Sequence, residues 1–148
     1  MDKIYLASYK AKGNWVDKII RFFTKGKYSH SELAIEKTEG AEKWFEIYSS
    51  SPRDGGVRMK KMAELDPAKW DLIELTGITE QDVKAYYQKT KGMKYDFFGA
   101  IGTKLLIRQS RSKMFCSEWV FNLLQKSTEG WRFDPNQLHA MFASNINN

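Results

Sequence analysis

Apolar and polar positions along the 148-residue chain switch between two periods, and the switches mark the elements. Ile4 to Tyr9 alternates well enough for a first strand. From Trp15 to about Thr24 the residues Trp15, Val16, Ile19, Ile20, Phe22 and Phe23 cover a broad helical face, with Asn14 placed to cap the start and Gly26 to end it. Tyr28 to Glu36 returns to a period of two. Ser31, Leu33 and Ile35 point one way, and His30, Glu32, Ala34 and Glu36 the other. Thr38-Glu39-Gly40 reads as a turn and Lys43 to Ser50 as the return strand. Pro52 to Gly56 makes a bend, Val57 to Lys61 a short strand, and Trp70 to Leu75 another. Thr79 then caps a helix reaching Lys89 or Lys91, with Val83, Tyr86 and Tyr87 facing inward and Gly92 as its stop.

Lys94 to Gly99 leads into a second apolar segment that ends at Ile107, and Arg108 to Lys113 is a basic connector. Helical spacing resumes at Trp119, Val120, Leu123 and Leu124, in a helix that opens at Cys116 and ends near Ser127. Phe133 to Leu138 is a loop entering a last short helix. No repeat, low-complexity stretch or linker divides the chain, so residues 1–148 are expected to form a single domain.

Composition narrows the possible classes. One cysteine excludes an internal disulfide framework and a cysteine-based zinc cluster, and it fits a reducing compartment. No apolar run approaches 18 residues, so no membrane span is expected. The start, Met1-Asp2-Lys3-Ile4-Tyr5, lacks the apolar core of a signal peptide, which makes cytoplasmic the expected location. The net charge of +6 permits an anionic partner. The basic residues are scattered, and neither zinc-finger spacing nor a glycine-rich phosphate loop is present, so nucleic acid is not the expected partner. No metal or cofactor is expected.

Candidate chemistry centres on Cys116. A thiol at a helix start meets unpaired backbone N–H groups and the positive end of the helix dipole, which favour the thiolate. His30 lies on a strand, and a strand-borne imidazole facing a helix-borne thiol is the arrangement for proton transfer between them. A third group would hold the imidazole in one tautomer. Three residues compete for that place. Glu46 reaches the His30 face if simple hairpin parity holds. Glu32 shares that face on the same strand. Ser50 stands opposite His30 if the hairpin is symmetric about Gly40. One residue of register slip would reverse the parity that favours Glu46. An oxyanion site would use the backbone N–H of Cys116 and a second donor that the side-chain pattern does not identify.

The order of these pieces resembles a known family. Tyr28-Ser29-His30 opens a strand, a return strand carries a polar group, and Phe115-Cys116-Ser117-Glu118 opens a helix. Lys94-Tyr95-Asp96-Phe97 precedes that helix and Asp134-Pro135-Asn136-Gln137-Leu138 follows it. The chain is similar in this to the circularly permuted papain-like hydrolases of the NlpC type, a group that includes bacterial amidase-like proteins and lecithin–retinol acyltransferase relatives. The resemblance implies a small α+β fold, with an antiparallel, barrel-like sheet packed against the helix that carries the cysteine. It also implies Cys116 as nucleophile, His30 as base, and an orienting residue on the following strand, at Glu46 or the Ser49-Ser50 pair. The chain departs from the pattern at Glu32, where many members carry a small residue, and at Ser49-Ser50-Ser51-Pro52. The expected activity is that of a cysteine hydrolase or acyltransferase, acting through an acyl-enzyme on a peptide, amide or lipid-ester bond. The competing expectation is a catalytically silent binding module of the same fold that acts on a protein partner.

Overall fold

The computed structural model describes residues 2–97, 100 and 113–144. Its strands are β1 (Ile4–Tyr9), β2 (His30–Glu39), β3 (Glu42–Ser51), β4 (Gly56–Met62), β5 (Trp70–Glu74), β6 (Lys94–Tyr95) and β7 (Lys113–Met114). They form one curled sheet in the order β5-β1-β2-β3-β4-β6-β7, antiparallel throughout except for the final β6–β7 pair. Among the described residues the α-helices are α1 (Trp15–Thr24), α2 (Glu80–Thr90), α3 (Cys116–Gln125) and α4 (Pro135–Ala143). The architecture is therefore mixed α+β. The expected apolar segment up to Ile107 and most of the basic connector after it lie outside the described residues.

Strand alternation sorts the apolar side chains onto two faces. Ile4, Leu6, Leu33, Ile35 and Tyr48 share a buried cluster with Val83 of α2, Trp119, Val120 and Leu123 of α3, and Leu138 of α4. The intervening residues Ala7, Ala34, Phe45 and Ile47 form a second cluster with Leu65. Burying both faces explains why β2 is apolar at three successive positions, Leu33-Ala34-Ile35. Among the described residues no helix is long and apolar enough to cross a membrane.

The β2–β3 hairpin is one residue off the symmetric arrangement about Gly40. Pairing runs up to Glu39 opposite Glu42, so Gly40 and Ala41 together make a two-residue turn. Gly40 takes a positive φ of 59° at the first turn position, which glycine adopts at no steric cost. This slip decides the site geometry described below.

Among the described residues, three of these four α-helices begin with a capping box: Asn14 with Asp17, Thr79 with Asp82, and Asp134 with Gln137. The end of α1 differs from expectation. The left-handed residue is Lys25, not Gly26. Gly26 has another role, because a Cβ there would collide with the side chain of Asn136 in α4. Asn136 has little freedom to yield, since it is hydrogen-bonded to Tyr28 and Thr24. Gly26→Ala is therefore expected to destabilise the fold by about 1–3 kcal/mol, read as a lower urea midpoint with unchanged m-value.

Candidate active site

His30 is the first residue of β2 and Cys116 the first of α3. The Cys116 side chain lies near enough to the His30 imidazole to act on its charge. Several bonds bring these two chain ends together. The Ser50 hydroxyl on β3 donates to the Met114 carbonyl at 2.5 Å, fixing the segment that turns into Cys116. Asp96 N donates to the same carbonyl at 3.2 Å. On the other side, Asn136 grips the backbone just before His30. Its Oδ1 accepts from Tyr28 N at 2.9 Å, and its Nδ2 donates to Tyr28 O at 2.9 Å.

The group that holds the imidazole is Glu32. Its Oε1 lies 2.7 Å from His30 Nε2, which leaves Nδ1 as the nitrogen for Cys116. The Glu32 side chain is only 1% exposed and that of His30 12%. A buried carboxylate needs further compensation. Arg58 on β4 supplies it through two charge-assisted bonds, to Oε2 at 2.6 Å and to Oε1 at 2.5 Å. Arg58 is held in turn by Asp54 at 2.8 Å. The arginine has to reach across β3, and it does so over Ser49, the residue paired with Arg58. Ser49 is fully buried and small, and its own hydroxyl donates to the Ser31 carbonyl at 2.6 Å.

Glu46 is not brought to His30. It pairs with Ile35, five positions along β2, or about 16 Å at strand rise. Its carboxylate accepts from Tyr48 at 2.8 Å and lies 3.6 Å from Lys84. Parity also separates the two, because the one-residue slip puts Glu46 on the face of Leu33 and Ile35 instead of the His30 face. By the same slip Ser51, not Ser50, continues the register opposite His30. The second histidine, His139, is a tie between α4 and the sheet. Its Nδ1 lies 2.8 Å from Ser8 Oγ and its Nε2 3.1 Å from the Tyr28 hydroxyl. Burial pushes its pKa down.

Electrostatics follow from these partners. Burial by itself pushes the His30 imidazolium down. The negative charges and hydrogen bonds of Cys116 and Glu32 outweigh it and raise the pKa to about 9. Burial pushes the Glu32 carboxyl up, and His30 and Arg58 overcome this and hold it well below its ordinary value.

Two features around Cys116 bear on an oxyanion. The N-cap of α3 is Phe115, which makes no side-chain cap bond, unlike the caps of the other three helices. Phe115 itself thus offers no side-chain acceptor to the first turn. Tyr95 on β6 adds a second donor. Its hydroxyl is buried without a hydrogen-bond partner. Burial, followed by the charges of Cys116, Asp17 and Asp96, pushes its pKa well up, so the O–H keeps its proton. Sequence reasoning missed Tyr95, Arg58 and Asn136. The signal for Tyr95 was its place in Lys94-Tyr95-Asp96-Phe97, and that for Asn136 its place in Asp134-Pro135-Asn136-Gln137-Leu138. Arg58 had none.

A cavity of about 270 Å³ opens on the Glu32 side of the imidazole, walled by His30, Glu32, Arg58, Tyr9, Ile47 and Trp70 among others. Cys116 is not one of its walls, and it is 1% exposed. Among the described residues no group of three or more His, Cys, Asp and Glu side chains could hold a metal ion. Neither a scan against protein-family models nor a search of curated proteins returned a match.

The raised His30 value sets a pH signature. Stability from this group is fully present below the ordinary histidine value of 6.5 and is lost as pH rises through about 9. An NMR titration should show the His30 imidazole losing its proton near pH 9. Glu32→Gln and Cys116→Ala should each lower that midpoint. A midpoint near 6.5 in the wild type would mean that the two partners do not act on the ring.

Proposed function

We propose that this protein is a thiol hydrolase or acyltransferase with a permuted papain-like fold, using Cys116, His30 and Glu32 on an amide, peptide or ester bond. The observation that carries this reading is the imidazole of His30, bonded to a buried carboxylate and acted on by Cys116, the first residue of a helix whose N-cap makes no side-chain bond. Glu32 takes the orienting place for which Glu46 and Ser50 were the other candidates. Packing of α3 against the curled sheet through Trp119, Val120 and Leu123 fits the same architecture. A lone thiol that works as a nucleophile also suits a reducing compartment such as the cytoplasm.

The chemistry follows from this order of groups. The Cys116 thiolate attacks the carbonyl carbon, and the C=O electron pair moves onto oxygen. First-turn N–H groups of α3 and the Tyr95 hydroxyl stabilise that oxyanion. The tetrahedral species collapses as the His30 imidazolium protonates the departing amine or alcohol, leaving a thioester on Cys116. His30, now neutral, takes a proton from water or from an acceptor alcohol as it attacks the thioester. The acid or the new ester leaves, and the thiolate–imidazolium pair returns. Glu32 keeps Nδ1 turned to sulfur throughout and stabilises the charged ring.

A second reading has its own observation. Cys116 is 1% exposed, which suits a silent binding module whose thiol is enclosed. Alkylation by iodoacetamide separates the two. The hydrolase reading expects Cys116 to be labelled at pH 6 faster than a simple free thiol, with labelling abolished in Cys116→Ala and slowed about tenfold or more in His30→Ala. Labelling no faster than an ordinary thiol would remove the hydrolase reading and leave the binding module. Once a turnover assay exists, Tyr95→Phe should lower kcat by about a hundredfold with little change in KM.

A further inference from the structure

The outer face of α1 carries an apolar stripe. Trp15, Ile19 and Phe22 follow one another at i, i+4 and i+7 on one side of the helix. Trp15 is 64% exposed, although its ring also touches that of Phe97 at 5.8 Å, and Phe22 is 77% exposed. Large aromatic side chains this exposed on one helix face mark an interaction surface. The opposite face, with Val16, Ile20 and Thr24, is buried and anchors the helix.

The charges around the stripe select the partner. Lys18 sits within the exposed face, three residues after Trp15 and four before Phe22. Lys12 and Lys25 stand exposed just beyond the two ends. The only acid in α1 is Asp17. It is turned inward, bonded to the backbone of Asn14 at 2.9 Å and to Arg53 at 2.7 Å. The exposed side of α1 is thus aromatic and cationic with no carboxylate, on a chain of net charge +6. Trp and Phe favour the headgroup–acyl boundary, and lysines reach from there to anionic headgroups.

We propose that α1 docks this protein onto an anionic lipid surface, with Trp15, Ile19 and Phe22 entering the interface and Lys12, Lys18 and Lys25 meeting the headgroups. One short helix gives reversible, salt-sensitive attachment and not permanent anchoring. The proposal does not depend on the chemistry of Cys116.

The test is co-sedimentation of the full chain with vesicles of phosphatidylcholine alone and of phosphatidylcholine mixed with phosphatidylglycerol. The wild type should bind the mixed vesicles at low salt, release them as salt is raised, and show a blue-shifted tryptophan emission when bound. The double variant Trp15→Ser/Phe22→Ser should lose about tenfold or more in partitioning. Both side chains are mostly exposed, so the variant should still fold cooperatively, which its melting curve checks, and label at Cys116 at the same rate. No binding by the wild type, or equal binding by the double variant, overturns the proposal. A concentration-dependent dimer that the double variant abolishes, without vesicle binding, also overturns it and assigns the face to a second copy of the chain.

Discussion

A buried carboxylate shared between two cations holds the centre of this molecule together. Glu32 is almost fully buried and depends on His30 to one side and Arg58 to the other. Such a group stabilises a structure only while both partners stay in place. Loss of either strands a charge in the interior, a change on the order of 3–5 kcal/mol. The arrangement ties β2 to β4 across β3, and it is possible because the intervening residue is Ser49. A larger side chain there would stand between acid and base. The same contacts that secure the sheet also fix the tautomer and orientation of His30, so stability and site geometry share one set of atoms.

The start of α3 stands apart from the other helix starts. Where α1, α2 and α4 each satisfy their first N–H groups with a capping box, α3 begins after Phe115 with no such acceptor. The chain entering it is nonetheless held firmly, since Ser50 and Asp96 both bond to the Met114 carbonyl. The thiol is thus held at a helix start that its N-cap leaves without a side-chain bond, with the buried Tyr95 phenol on β6. Access to the thiol is then the property that separates a working hydrolase from a binding module.

Distant parts of the chain cooperate in placing His30. Asn136 of α4 holds both backbone groups of Tyr28, and Gly26 leaves it the room to do so. Tyr28 also donates to Asp71 at 2.5 Å and meets His139, which ties β5 and α4 to the same residue. The turn before the histidine is therefore clamped from two sides. α1, just ahead of that turn, has its inner face in the core and its outer face free of acids, so one helix supports the site and presents a cationic, aromatic surface.

Local pattern alone placed most of the regular elements. The period-two runs at Ile4 to Tyr9 and Trp70 to Leu75, and the capped helices after Asn14 and Thr79, appear within about a residue of where they were read. That success has a simple cause, because alternation and capping depend on neighbours in sequence. Short pairings such as β6 and β7 left no such trace, being two residues each and made only by contact with distant chain. Cys116 and His30 could also be picked out, one by its place at a helix start and one by its place on a strand. Which carboxylate would hold the imidazole could not be decided that way. Glu46 is set apart by its place five positions along β2 as well as by its face, and the face follows from the register set at the Gly40-Ala41 turn. The roles of Arg58 and Asn136 could not be read for the same reason: they arise from cross-strand and helix-to-turn contacts that exist only once the chain has folded.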